Sequence, residues 1–291
     1  MAPVGDLRGN APGAARTPGD RPDSFRDQDP AGFNRLVVVR VQVPVDDQRS
    51  TRIAPTSVTW EYPTAVDESV YPIGVLCSGG LDSVVLAADL ARAADVQPIY
   101  VSVGLAWEDA ELAVLRRLAE AALFGGRVRP LVRLDLTMRD VYPASHWAIR
   151  GTPPAYDTPD EDVYLAGRNI ILLSKAAVYC AGAGIHRLAI GPLAGNPFPD
   201  ATPAFFGAIG QALSLGLDHR IEIVAPFSAL HKADVVTLGA QLGVPMEMSL
   251  SCMNPRDGRH CGVCSKCRER RDAFDEAGIP DRTDYAAPSP R

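Results

Sequence analysis

From Tyr71 onward, short apolar runs alternate with longer segments of helical periodicity, and this alternation restricts the possible fold more than any other feature. The apolar runs, rich in Val, Ile and Leu, include IGVLC, PIYVSV, PLVRLDL, RLAIG and IEIVAP. Helical periods such as LDSVVLAADLARAA and RNIILLSKAAVYCAGA lie between them. Continuous apolar strands separated by helices are typical of a parallel sheet covered on both faces. The sequence therefore predicts an α/β fold with a doubly wound parallel sheet.

Composition divides the chain into four predicted segments. Residues 1–33 are rich in Pro, Gly, Arg and Asp and poor in large apolar side chains, which predicts a disordered tail. Residues 34–70 hold two β-branched runs, RLVVVRVQVPV and TSVTWEY, which predict a small β extension. Residues 71–245 form the predicted α/β domain, and residues 246–291 hold four of the six cysteines in a predicted metal-binding segment.

The loop CSGGLDS, residues 77–83, joins the first predicted strand to the first predicted helix. Open α/β sheets bind ligands at the carboxyl ends of their strands, and free N–H groups at a helix start bind anions. Gly79 and Gly80 permit close approach of backbone to a phosphate, and Ser78 and Ser83 add hydroxyl donors. A carboxylate at Asp82 suits an anion site only if a cation such as Mg²⁺ joins it. The alternative is a plain glycine turn with a Ser or Asp cap on the next helix.

The four clustered cysteines have the spacing of a metal site. Cys252 is followed by eight residues and then by CGVCSKC, which supplies Cys261, Cys264 and Cys267. Four thiolates satisfy tetrahedral Zn²⁺ and leave no open position, so a structural zinc is predicted. An iron-sulfur cluster and a redox-active CxxC pair stay open as alternatives. His260, next to Cys261, is expected to face solvent in a loop.

Several motifs together resemble a known enzyme family. SGGLDS resembles the signature loop of the PP-loop ATP pyrophosphatases and lacks the GK[ST] ending of a γ-phosphate-transferring loop. Combined with GRN at 167–169, HKAD at 231–234 and the ending SCMNPRDGRHCGVCSKCRERRDAFDEAGIPD, the chain resembles the 7-cyano-7-deazaguanine synthases from about Ile73 to Tyr285.

The resemblance implies an ATP-dependent carbon–nitrogen ligase that converts 7-carboxy-7-deazaguanine to a nitrile, or a related acid to an amide, with ammonia. Adenylation of the acid releases pyrophosphate, and AMP then becomes the leaving group. By carry-over, the nucleotide and Mg²⁺ are held by Ser78, Gly79, Gly80, Leu81, Asp82 and Ser83. The implied catalytic residues are Asp82, Arg168 and Lys232, the last two neutralising phosphate or carboxylate. The substrate-binding candidates are Trp107, Asn169, Pro199, Asp200 and Phe205.

The chain departs from the family pattern at substrate-facing positions. Thr202 stands where the family has an arginine, Ala204 stands near an expected acid, and GLAWEDAEL replaces a glycine-glutamine-arginine-histidine run. These differences bear on the acid that is bound more than on the ATP site.

Two other functions compete with this one. A PP-loop tRNA-modifying enzyme would adenylate a base oxygen and insert sulfur, using a free cysteine and the basic stretch around 256–271. A zinc-ribbon binding module on an inactive scaffold is the second. The formal charge of −6 disfavours nucleic acid as a partner. No apolar stretch predicts a membrane helix or signal peptide, so a cytoplasmic protein is expected. The family resemblance implies free ammonia as the nitrogen source and a homodimer.

Overall fold

The computed structural model describes residues 71–120 and 126–290. The predicted tail at 1–33 and β extension at 34–70 lie outside the described residues, and both stay predictions. Within the described part, no helix has the length and apolar character needed to cross a membrane.

Five strands form one fully parallel sheet. The strands are β1 (Ile73–Leu76), β2 (Val96–Ser102), β3 (Val132–Asp135), β4 (Arg187–Ala189) and β5 (Glu222–Val224). Their order in the sheet is β3-β2-β1-β4-β5, and every neighbouring pair runs parallel. The predicted doubly wound parallel sheet is confirmed.

Helices cover both faces of the sheet. They are α1 (Leu81–Leu90), α2 (Glu108–Glu120), α3 (Trp147–Arg150), α4 (Arg168–Gly182), α5 (Pro203–Leu217), α6 (Lys232–Gln241) and α7 (Ser265–Ala277). Short 3-10 turns lie at Asp160–Val163, Pro199–Ala201 and Met246–Met248. The sequence pattern did not predict α3 or α7. In α7 few residues are apolar, because most of its length carries charged side chains.

Alternating residues of β1 pack into two different cores. Leu76 belongs to the core under α4 and α5, whereas Ile73 and Val75 belong to the core under α1, α6 and α7. Gly74 lies where α4 packs closely on the sheet, since a Cβ there would lie 3.2 Å from the Cys180 sulfur. Packing on both faces explains why β1 reads as an unbroken apolar run.

The strand order places a crevice beside β1. After β1 the chain moves outward to β2 and β3, then returns to β4 on the other side of β1. Loops that leave the carboxyl ends of β1 and β4 therefore diverge, and open α/β sheets bind ligands at such a switch point. The CSGGLDS loop leaves β1 at this edge.

Candidate active site

The loop between β1 and α1 is a fixed turn whose helix start is free of side-chain caps. Gly79 has φ +79°, a conformation that favours glycine, and its carbonyl accepts from the Leu250 N–H at 2.8 Å. The Ser83 hydroxyl donates to the Gly80 carbonyl at 2.9 Å. Gly80 is the N-cap of α1, and no side chain of the described residues caps that helix. The Ser or Asp cap that the alternative interpretation requires is therefore absent there, and the N-terminal end of α1 can accept an anion.

Two cavities meet at this loop. A smaller cavity of about 270 Å³ reaches back to the carboxyl ends of β1 and β2. A larger cavity of about 550 Å³ extends toward α6 and α7. Ser78, Gly80, Asp82 and Arg168 line both. The loop thus borders two cavities, which offers separate room for a nucleotide and for a second substrate next to the same residues.

Lys232 joins the loop to the C-terminal segment. As the first residue of α6, it donates from Nζ to the Asp82 carboxylate at 2.6 Å and pairs with Glu269 of α7 at 3.1 Å. Lys266 pairs with the same Glu269 at 2.5 Å. Burial opposes the charge on Lys232, but Asp82 and Glu269 outweigh it and raise its pKa. Burial likewise opposes ionisation of Glu269, yet the two lysines lower its pKa to about 2.

Two polar atoms at the loop are buried without a hydrogen-bond partner among the described residues: Oδ1 of Asp82 and Nε of Arg168. Arg168 opens α4 after Gly167, which has φ +74°. A cation at a helix start opposes the helix dipole unless an anion lies nearby. An unpartnered carboxylate oxygen suits a divalent cation, and an unpartnered guanidinium N–H suits a phosphate or carboxylate. The residues present therefore fit both ligands.

The structure separates the five substrate-binding candidates. Asn169 and Asp200 line the smaller cavity and bind each other: the Asn169 N–H donates to the Asp200 carboxylate at 3.1 Å, and its side-chain amide donates to the Asp200 carbonyl at 2.9 Å. Burial raises the pKa of Asp200. Trp107 lines the larger cavity but is only 6% exposed and stacks on Trp147 at 5.8 Å.

The other two candidates, Pro199 and Phe205, line neither of these cavities. Phe205 packs at the start of α5, where its N–H donates to the hydroxyl of Thr202. Thr202 thus serves as the N-cap of this helix.

A buried pair that the sequence reasoning missed lies next to the loop. The Tyr100 hydroxyl, on β2, donates to Oε2 of Glu111 on α2 at 2.8 Å. Burial raises the pKa of Glu111 to about 7, although Arg168 and the Tyr100 hydroxyl lower it. The sequence held one indication of this pair: Glu111 lies in the first turn of the helix that follows the second strand, close to the edge of the sheet where ligands bind.

The four cysteines converge as predicted. Their sulfur atoms lie within 4.8 Å of one another, and all four residues are buried. Cys252 and Cys264 are 4.0 Å apart, Cys261 and Cys267 are 3.9 Å apart, and Cys264 and Cys267 are 3.5 Å apart. Tetrahedral Zn–S bonds of about 2.3 Å would place sulfurs about 3.8 Å apart. Backbone N–H groups of Asn254 and Cys261 also point at the Cys252 sulfur, so the group fits a closed metal site.

One expectation near the cluster is wrong. His260 does not face solvent: it is 4% exposed, packs against Tyr285 and accepts from the Ser251 N–H at Nε2. Burial lowers its pKa to about 3, so it stays neutral and structural. The backbone of His260 also bonds the 284–286 segment, which draws the side chain inward.

Helix α7 links the cysteine cluster to the larger cavity. It begins directly after Cys264 and contains Cys267, and its first two turns also carry the cavity-lining residues Lys266, Arg268 and Glu269. Arg270 of the same helix is fully buried and donates to Thr283, Ser249 and the Met246 carbonyl. The metal-binding segment therefore supplies part of the wall of the candidate site.

Comparison with known proteins identifies the family. The family model described as queuosine biosynthesis protein QueC matches residues 73–278. A 7-cyano-7-deazaguanine synthase of Methanothrix thermoacetophila is 38% identical over 224 residues, which cover 72% of this chain and 96% of that protein. Its namesake in Anaeromyxobacter dehalogenans is 37% identical over 224 residues, covering 73% and 94%.

Among solved structures, a 4-thiouridine synthetase in complex with RNA and bound ATP gives a TM-score of 0.40 at 13% identity, covering 71% of this chain and 53% of that one. A similarity this low supports no conclusion about function. The sequence matches, by contrast, span most of both chains, and they confirm the resemblance first suggested by the loop and the cysteine spacing: the chain belongs to the queuosine biosynthesis protein QueC family.

Proposed function

We propose that this protein is a 7-cyano-7-deazaguanine synthase, an ATP-dependent ligase that activates a carboxylate by adenylation and joins it to ammonia. The observation that carries the proposal is the meeting of the uncapped CSGGLDS helix start with the unpartnered Asp82 oxygen and Arg168 nitrogen between two cavities. Membership of the family gives the reaction, and the site supplies groups suited to it.

ATP is the substrate for which the loop is best suited. Ser78, Gly79, Gly80, Leu81 and Ser83 would surround its pyrophosphate portion with backbone N–H and hydroxyl donors. Asp82 would hold Mg²⁺ through its free Oδ1, and the ion would neutralise charge on the phosphate oxygens. Lys232 and Arg168 would stabilise the negative charge that develops as the acid's oxygen attacks the α-phosphate.

The acid would lie opposite the loop, with Asn169 and Asp200 presenting amide and carboxylate edges to a purine-like ring. Adenylation makes AMP the leaving group, and ammonia attack on the acyl carbon gives an amide. A second adenylation, now at the amide oxygen, permits elimination to the nitrile. Pro199, Phe205 and Trp107 stay predicted substrate contacts, and their placement makes direct contact most favourable for Trp107, which borders a cavity.

Zinc is the metal we propose for the four cysteines, because the sulfur spacing and the closed, buried donor set suit a structural Zn²⁺. Bound there, it would fix the start of α7 and hence Lys266 and Glu269. Free ammonia as the nitrogen source and a homodimeric state are further predictions from the family resemblance, and light scattering on the purified protein tests the latter.

Sulfur transfer to RNA, the competing function, is less well supported. With the cluster ligated, the remaining thiols are Cys77 at 5% exposure and Cys180 at 0%, and burial raises the pKa of Cys180 to about 12. Part of the basic stretch is also occupied internally: Arg270 is buried, and Arg271 donates to the Gly262 carbonyl and lies over Tyr285. These two arginines are not available to RNA phosphates.

The proposal is tested by incubating the purified protein with Mg-ATP, ammonium and 7-carboxy-7-deazaguanine and following AMP together with the product mass. We expect acid-dependent AMP and the nitrile mass. AMP formed only with tRNA, or no acid-dependent AMP at all, would contradict the proposal. Detection of the amide without the nitrile would show that the reaction stops before the second adenylation.

A further inference from the structure

The proposed reaction needs a nucleophile with a free lone pair, and at neutral pH dissolved ammonia is mostly ammonium, which has none. A site that captures ammonium and removes one proton next to the acyl group would supply the reactive species. Such a site requires an anionic group in the cavity that is not already neutralised by a lysine. General bases with a suitable pKa contribute about 10²- to 10⁴-fold to rates.

Glu111 is a carboxylate in the larger cavity that meets this requirement. It is 6% exposed and lines the cavity together with Ser78 and Arg168. The carboxylates of Asp82 and Glu269 in the same wall are bound to Lys232. Glu111, by contrast, accepts its hydrogen bond from a neutral phenol, Tyr100, at 2.8 Å. Tyr100 thus holds one of its oxygens in place, Trp107 also forms a hydrogen bond with the carboxylate, and no lysine or arginine among the described residues forms an ion pair with it.

The walls beside Glu111 suit a small cation. Trp107 precedes Glu111 by four residues and so lies on the same face of the helix. Trp107 and Trp147 stack with centroids 5.8 Å apart and an interplanar angle of 12°, and both border the cavity that Glu111 lines. Aromatic rings attract ammonium-type cations electrostatically, most strongly where water is excluded.

We infer that Glu111, flanked by Trp107 and Trp147, binds ammonium and accepts the proton whose loss creates the attacking ammonia; the inference rests on the proposed function. Ammonium gives one proton to the Glu111 carboxylate, and the freed lone pair forms the C–N bond to the acyl carbon. The C–O bond to AMP breaks, and its electron pair leaves with AMP. The nitrogen then loses a second proton to water, which yields the neutral amide, and Glu111 returns its proton to solvent.

The pKa of Glu111 agrees with this role. Burial raises it to about 7, against the lowering effect of Arg168 and the Tyr100 hydroxyl. A base that titrates near the working pH is both ionised often enough to bind ammonium and basic enough to take its proton. Wild-type kcat/KM for total ammonium should therefore decline as the pH falls below about 7.

The test compares wild type with Glu111→Gln, whose amide oxygen still accepts from Tyr100. Acid-dependent exchange of pyrophosphate into ATP, measured without ammonium, reports the adenylation step alone. We expect exchange to be retained and kcat/KM for ammonium to fall by about 10²-fold or more. Hydroxylamine, which is largely neutral at pH 7, should bypass the base, so hydroxamate formation should be similar in both proteins. Glu111→Asp should restore part of the ammonium rate.

Glu108→Gln is the matched control. Glu108 lies on the same helix and is 7% exposed, but its carboxylate is used by the N–H groups of Val103 and Gly104 and by the Ser102 hydroxyl. Its replacement should lower thermal stability and leave KM for ammonium unchanged. An unchanged kcat/KM for ammonium in Glu111→Gln, or loss of hydroxamate formation in parallel with the ammonium rate, would overturn the inference. Absence of acid-dependent exchange in the wild type would instead refute the proposed function, and the inference with it.

Discussion

Replacing Lys232 by methionine tests whether the ion pair at the centre of the site stabilises the fold as well as the chemistry. The substitution keeps the length of the aliphatic chain and removes a charge that lies 2.6 Å from an Asp82 oxygen and 3.1 Å from a Glu269 oxygen. Both carboxylates lose that partner, although Lys266 still neutralises Glu269. The uncompensated charge therefore falls mainly on Asp82.

The cost lies between two limits. Removing one partner of a fully buried pair costs about 3–5 kcal/mol, whereas an exposed pair contributes about 0–1 kcal/mol. The side chains of Lys232 and Asp82 are 16% and 26% exposed, so we expect a loss of about 2 kcal/mol in the free energy of unfolding. For a domain of this size, that corresponds to a Tm lower by about 4–8 °C.

Differential scanning calorimetry at constant metal content measures the shift, and Lys266→Met is the control. Lys266 shares the Glu269 partner but has no bond to Asp82, so its loss should cost no more than about 1 kcal/mol. Added Mg²⁺ should restore more of the Tm in Lys232→Met than in wild type, because a divalent cation can replace the missing charge beside Asp82. Equal Tm values for wild type and Lys232→Met, with equal KM for ATP, would refute this reasoning.

Three further predictions concern the loop, the cysteines and the buried glutamate. Asp82→Asn should abolish AMP formation while circular dichroism stays native, since the unpartnered Oδ1 is available for Mg²⁺; normal AMP release would contradict its role. Cys264→Ser should release zinc, measured by elemental analysis, and lower the Tm, because metal binding contributes folding free energy in such sites; a metal-free variant of equal stability would argue against a structural metal. Glu111→Gln should be more stable than wild type at pH 8, because burial raises the folded-state pKa from 4.5 to about 7 and the folded state then binds more protons than the unfolded state in between. As pH rises from 4.5 to 7, wild type therefore loses up to about 3 kcal/mol of unfolding free energy that Glu111→Gln does not lose. In denaturant titrations the greater stability of the variant should vanish below pH 4.5. A stability difference that does not depend on pH would show a different cause.

Local features of the site could be predicted from the sequence because they depend on neighbouring residues. The turn after β1 needs a glycine at φ +79° and a helix start without a bulky cap. Both features can be seen in the six residues 78–83, where Gly79 and Gly80 follow each other. Cysteine spacing likewise limits which sulfurs can reach a common centre. Most strands and helices followed from apolar periodicity. It missed α3, which has only four residues, and α7, where most residues are charged and few apolar side chains mark the buried face.

Contacts between distant segments could not be predicted. Lys232 lies 150 positions from Asp82, and the sequence suggested that it meets phosphate without indicating its two carboxylate partners. His260 looked like a loop residue and is buried, because the segment at 284–286 pairs with its backbone.

The amino-acid sequence by itself determined the sheet class, the phosphate-binding turn, the four-sulfur site and the family, since each is encoded by residue type at short range. Only the tertiary structure decided which charges meet: the order β3-β2-β1-β4-β5 brings α6 and the cysteine-anchored α7 against the loop after β1. It also placed Tyr100 against Glu111, and among the described residues no lysine pairs with that carboxylate. Long-range packing sets burial and pairing, and these two quantities determine which of many acidic side chains acquires a pKa near 7.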